Sequence, residues 1–124
     1  MSEYTIRISI KTAYLDKHSQ PKKNRFAFAY TISIENCSQT SAQLLSRHWV
    51  ITDAKNHIQE VVGDGVIGQQ PHISPGKKYT YSSNAVLATT VGTMEGTYTM
   101  RTADGKVFNV PIPMFSLAKP QCLH

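Results

Sequence analysis

Apolar and polar residues alternate along this chain in short runs with a period of two. Ile6, Ile8 and Ile10 share one face, with Thr5, Arg7, Ser9 and Lys11 on the other. Phe26, Phe28, Tyr30, Ile32 and Ile34 alternate in the same way with Ala27, Ala29, Thr31, Ser33 and Glu35. Successive side chains of a strand point to opposite faces, so each run sets one stripe on a core and one toward water. A polar loop, Asp16 to Asn24 with Pro21, separates the two strands. A third strand is predicted over Ala42 to Thr52, closing at the turn-rich Thr52-Asp53-Ala54-Lys55-Asn56, and a short fourth over Ile58 to Val62. A long loop, Gly63 to Lys77, carries Pro71 and Pro75. Tyr79 and Tyr81 mark a fifth strand, and Met94, Gly96, Tyr98 and Met100 alternate with Thr93, Glu95, Thr97 and Thr99 in a sixth. Asp104-Gly105 predicts a two-residue hairpin turn at positive φ. The seventh strand runs from Lys106 toward Ile112, and because Pro111 and Pro113 lack a ladder donor, its end must be an edge or a bulge.

No segment sustains a 3.6-residue apolar period. Short strands at regular spacing with turns between them predict an all-β chain, an immunoglobulin/fibronectin type III-like β-sandwich of about seven antiparallel strands. At 124 residues it reads as a single domain, residues 1–124. Hydrophobic residues make up 40% and charged residues 17%, a balance that excludes a disordered chain. Apolar runs such as Phe26 to Tyr30 fall far short of the about 20 residues a membrane-spanning helix needs, so no membrane span is expected. The N-terminus has no basic region followed by an apolar stretch, which makes cytoplasmic the expected location. Cys37, in Asn36-Cys37-Ser38, and Cys122 are far apart and read as incidental reduced thiols. The net charge of +5 is spread over small groups, Lys22-Lys23-Arg25 and Lys77-Lys78, which read as solvated loop tips.

Gly63-Asp64-Gly65-Val66-Ile67-Gly68 matches G-x-G-x-x-G, the pattern that lets a backbone approach a pyrophosphate at a helix N-terminus. Its context fails that chemistry. Pro71 and Pro75 prevent a following helix, and Ser82, Ser83 and Asn84 stand where a ribose-binding acid is needed about 20 residues on. A glycine-rich turn in a β protein is the better reading. Its backbone N–H groups still offer an anion nest, with Lys77 and Lys78 as cations. The five histidines, His18, His48, His57, His72 and His124, form no metal-ligand spacing, so no metal and no cofactor are expected. The eight acids are scattered, no G-x-S-x-G elbow exists and Cys37 has no evident partner, so the chain is expected not to be an enzyme.

Trp49 is expected as the core aromatic; Arg47 then shares its face and His48 points away. Nucleic-acid readers interleave basic and aromatic residues on one exposed face, but here the aromatics follow the apolar stripe, so no nucleic-acid partner is expected. Tyr98, near the start of the sixth strand, suits a tyrosine that closes a corner through its hydroxyl, and Tyr98→Phe is expected to lose about 1 kcal/mol.

Three stretches together, Arg47-His48-Trp49-Val50-Ile51-Thr52-Asp53-Ala54, Val61 through Pro71, and Gly92-Thr93-Met94-Glu95-Gly96-Thr97-Tyr98, resemble the bacterial ApaG family in order and spacing. The resemblance runs from the first strand to Phe115-Ser116-Leu117 and implies a fibronectin type III-like sandwich. The family's glycine motif maps onto Gly63, Gly65 and Gly68. The resemblance also implies an accessory role tied to cobalt and magnesium resistance or efflux, and a gene near that of a diadenosine tetraphosphate hydrolase. Related domains in an F-box protein and in a protein that interacts with DNA polymerase delta imply protein binding. The chain has no span and no oxygen-rich Mg²⁺ site, so any effect on divalent ions is expected to be indirect. The expected function is therefore a non-enzymatic binding module for an unidentified protein partner. The alternative is a binder of a small anion, pyrophosphate or a dinucleotide polyphosphate, at the Gly63–Gly68 loop.

Overall fold

The structure is a computed structural model that describes residues 5–120; Cys122 and His124 lie outside the described residues. Alternating stripes build two antiparallel sheets. One holds β1 (Ile6–Tyr14), β2 (Phe26–Asn36) and β6 (Lys78–Leu87) in the order β1-β2-β6. The other holds β3 (Ala42–Asp53), β4 (Ile58–Asp64), β5 (His72–Ile73), β7 (Val91–Thr102) and β8 (Val107–Ala118), in the order β4-β3-β7-β8 with β5 also on β3. The loop between β1 and β2 forms two short 3₁₀ turns, Asp16–His18 and Pro21–Lys23.

The core lies between the sheets. Phe26, Phe28, Tyr30, Ile32 and Ile34 of β2 are buried, as their alternation requires, and face Trp49, Met94, Tyr98 and Met100 of the other sheet. The outward stripe of β2 is polar and paired from Thr31 on, Thr31 with Ser82 and Ser33 with Thr80, each at 2.8 Å, whereas Ala27 at its start is buried and not turned to water. Trp49, only 2% exposed, packs its ring against Tyr30 (5.5 Å between centroids), Phe115 (5.9 Å) and Tyr98 (6.3 Å).

Several expectations are corrected. The segment Gly63–Lys77 is not one loop: β4 runs on through Gly63 and Asp64, and His72-Ile73 forms a two-residue strand on Ala42-Gln43. The turn at Asp104-Gly105 has three residues, not two. Thr102 N–H bonds to Lys106 O and Gly105 N–H to Thr102 O, and only Gly105 among them takes positive φ, at 90°. That is a type I turn closed by a left-handed residue, which the local twist accommodates with a bulge. The last strand continues past both prolines to Ala118; it is an edge strand and also shifts register opposite Met94–Gly96. Asn36 closes the end of β2 from inside. It is fully buried, its Nδ2 donating to Thr40 O and Ile73 O at 2.9 Å while its Oδ1 accepts from Ser38 N–H.

In β3 a register shift between Leu44 and Ser46 changes which parity faces inward. Ala42 and Leu44 are buried before it, Trp49 and Ile51 after it. An extra residue in one strand has this effect because side chains alternate strictly on either side of it.

Candidate functional site

The glycine motif sits directly against that bulge. Gly65 N–H donates to Leu45 O at 2.8 Å, and Gln70 Nε2 donates to the same carbonyl at 2.8 Å. Beyond Gly65 the chain folds into a miniature hairpin in which Val66 and Gln69 exchange both backbone bonds, at 2.8 and 2.9 Å. The two residues at its tip, Ile67 (φ 42°) and Gly68 (φ 78°), both lie in the left-handed region, as a type I′ turn requires. Gly65 is obligatory: at φ 61° a Cβ would stand 2.0 Å from Gln69 O. At Gly63 a Cβ would meet only the movable guanidinium of Arg47, at 2.8 Å from Nη1, so this glycine is less constrained than Gly65. No helix follows Gly68.

Arg47 shares the inward face with Trp49, and its guanidinium closes over the loop. Nη1 donates to Asp64 O at 3.1 Å and to Gly65 O at 3.0 Å. The loop therefore turns carbonyl oxygens toward a cation, and the N–H groups of Gly65, Val66 and Gln69 are spent on protein acceptors. Tyr79 Oη donates to Gln69 Oε1 at 3.0 Å, which joins the far side of the loop to the start of β6. Lys78 lies there opposite Glu35 in the ladder, and Lys77 gives its N–H to Ser74 O. Among the described residues neither lysine forms an ion pair with the loop; the cation brought to it is Arg47.

Beneath the loop, Tyr98 and Tyr81 share a hydrogen bond between their hydroxyls, both buried. This corrects the corner reading: Tyr98 bonds a side chain of the opposite sheet, tying β7 to β6 through the core. Burial pushes both phenols up, and for Tyr98 the neighbouring Tyr81 adds to the rise. Both stay neutral hydroxyls at ordinary pH, one donating and the other accepting.

Two histidine–acid pairs flank β4, neither of them evident from residue spacing alone. His48 Nε2 lies 3.2 Å from Glu60 on the outer face, and His57 Nδ1 lies 3.4 Å from Asp53 in the β3–β4 hairpin. The antiparallel register is what joins the first pair; the i, i+4 spacing across a turn was the only available signal for the second. Burial disfavours the charge of Asp53, but N–H bonds from His57 (3.0 Å) and Lys55 (2.8 Å) outweigh it and hold the carboxyl below its usual value. Between this hairpin and the end of β6 lies a cleft of about 260 Å³, lined by Ile51, His57, Ile58, Val86 and Leu87 among others.

The model of the ApaG domain matches residues 16–102, which span the loop, the bulge and the tyrosine pair. The chain belongs to the ApaG family. A curated Protein ApaG of Thiobacillus denitrificans is 55% identical over 122 residues, covering 98% of this chain and 96% of the relative. One from Pseudomonas paraeruginosa is 52% identical over 123 residues, with 99% and 98% covered. A crystal structure named for an ApaA protein of Bordetella pertussis superposes with a TM-score of 0.92 at 43% identity, over 95% of this chain and 96% of that one. No helix among the described residues is long and apolar enough to cross a membrane.

Proposed function

We propose that this family member is a cytoplasmic, non-enzymatic binding module that engages a protein partner through the turn at the tip of its glycine loop. The observation that carries this reading is Ile67. It is a β-branched residue at φ 42°, and it is 55% exposed. A left-handed conformation costs a side chain of this kind about 1–2 kcal/mol, and asparagine or glycine would adopt it with little penalty. An apolar side chain held out in water at that cost recovers it when a partner buries it. Affinity capture from the native cytoplasm tests the reading. A partner retained by the wild-type protein and lost from Ile67→Asn is expected; equal retention by both proteins overturns it. Any influence on cobalt or magnesium then runs through that partner.

A second reading, a small-anion binder, is favoured by the Arg47 guanidinium at the loop. An NMR titration with pyrophosphate and diadenosine tetraphosphate separates the two readings. Shifts centred on Gly63–Gly68 support the anion, and no response at millimolar ligand removes it.

A further inference from the structure

We infer that the free edge of β4 is a docking site for an extended peptide of alternating basic and apolar residues, which pairs with it as an added strand. The inference rests on the protein-binding reading above and assigns it a surface and a partner chemistry.

The phase of the ladder decides which backbone groups are available. Asp53 N–H bonds to His57 O, and Gly65 N–H bonds to Leu45 O, at the two ends of the β3–β4 pairing. Bonded and non-bonded pairs alternate in an antiparallel ladder, so Gln59, Val61 and Gly63 bond to β3. Ile58, Glu60, Val62 and Asp64 therefore aim their N–H and C=O groups away from the sheet; Asp64 O is already taken by Arg47 Nη1 at 3.1 Å, which leaves the groups of Ile58, Glu60 and Val62 for a new strand. Nothing in the order β4-β3-β7-β8 covers that side.

The same four residues put their side chains on the outer face, where Ile58 is 65% and Val62 73% exposed. Edge strands are ordinarily guarded by charged side chains, lysine above all, by proline, a bulge or a covering element, and of these β4 carries only the acids Glu60 and Asp64. The strand Ile58–Asp64 has no lysine or proline, its register with β3 is unbroken, and it has no packing on β6 comparable to that of β1 on β8. The edge strand β8 also shows Val107 and Met114 to water, but it carries Pro111, Pro113 and a register shift, and it packs against β1.

Charge selects the occupant. Glu60 and Asp64 stand on the outer face of β4, and Glu95 joins them there, because Val50 lies between Glu60 and Glu95 across the three strands. Opposite charges across a strand pair stabilise and like charges do not. A second copy of β4 would bring the same two acids and no lysine or arginine to the joint. A peptide with lysine or arginine outward places those charges beside Glu60 and Asp64, and their aliphatic stems cover Ile58 and Val62. Its inward side chains meet Val61 and the cleft lined by Ile51, Val86 and Leu87, which calls for apolar residues at alternate positions.

The test is an NMR titration of the full chain with a blocked peptide of alternating valine and lysine, matched to the seven residues of β4. A valine–glutamate peptide of equal length is the control. Saturable shifts over Ile58–Asp64, with slowed amide exchange at Glu60 and Val62, are expected from the first peptide only. Val62→Pro removes an outward donor without breaking a bond to β3 and should abolish the response. Glu60→Gln, which leaves the backbone untouched, should weaken it about threefold. No response at millimolar peptide, an equal response to the glutamate peptide, or shifts that track protein concentration instead of peptide each overturn the inference. Cytoplasmic capture that depends on Ile67 but is unchanged by Val62→Pro and Glu60→Gln would sink the β4 site and leave the module reading standing.

Discussion

The β3–β4 and β7–β8 hairpins follow one plan yet deliver opposite kinds of edge. In each, the first residue gives its N–H across the turn, Asp53 to His57 O and Thr102 to Lys106 O. In each, a left-handed residue closes a three-residue loop, Asn56 at φ 64° and Gly105 at φ 90°. In each, a side chain at that first position also accepts from the returning strand: Asp53 Oδ1 from His57 N–H, Thr102 Oγ1 from Lys106 N–H. The strands they launch differ. The β8 strand is broken up by prolines, shifted in register and packed against β1, whereas β4 is regular, acidic and apolar on its free side. Turn chemistry sets where a hairpin begins and in which register. Protection of its outer edge depends on the composition of the strand itself.

The sharpest way to break the parallel is at the glycines that serve each hairpin's strand. Gly65→Val drives a Cβ toward Gln69 O, 2.0 Å away, at φ 61°. Urea unfolding should show a loss of about 3 kcal/mol or more. Gly105→Val meets nothing within 4 Å and is left with only the left-handed penalty, about 1–2 kcal/mol. Equal losses at the two sites would show that the glycine loop is no more constrained than an ordinary turn.

Between the sheets, Tyr98→Phe strands the buried Tyr81 hydroxyl and should cost about 1–3 kcal/mol. The Tyr81→Phe, Tyr98→Phe double variant should cost less than the two single changes added together, because no donor is left unpaired. Additive losses would show that the hydroxyls do not act as a pair. Ile67→Asn acts in the opposite direction: it relieves the left-handed isoleucine and should raise stability by about 1 kcal/mol. A lower midpoint would mean that Ile67 is a stabilising residue, which its exposure does not explain.

The smallest effect compares the hairpins through pH. A bond from the Thr102 hydroxyl lowers the Asp104 carboxyl, and Asp53 is lowered by its backbone donors against the effect of burial. Both folded values lie below the ordinary 3.8, so the stabilisation is complete above that pH and fades as pH falls through the folded values. Asp53→Asn and Asp104→Asn should each flatten the fall of the urea midpoint below pH 3.8. A slope unchanged from wild type in either protein would remove that carboxylate from the account.

What the sequence determined by itself is the set of long strands and their inward stripes. Alternation is a local property, and Ile32, Ile34, Met94 and Met100 reach the core wherever their neighbours come from. The burial of Trp49 and the edge character of the proline-bearing strand were legible for the same reason. Tertiary structure decided what depends on which strand lies beside which and in what register. It placed Arg47, and not Lys77 or Lys78, at the glycine loop. It paired Tyr98 with Tyr81 across the sandwich, made Asn36 a buried link to β5, and inserted the β3 bulge that the loop holds. These contacts join residues distant along the chain, and the parity of a strand carries no information about the partner it meets across the core.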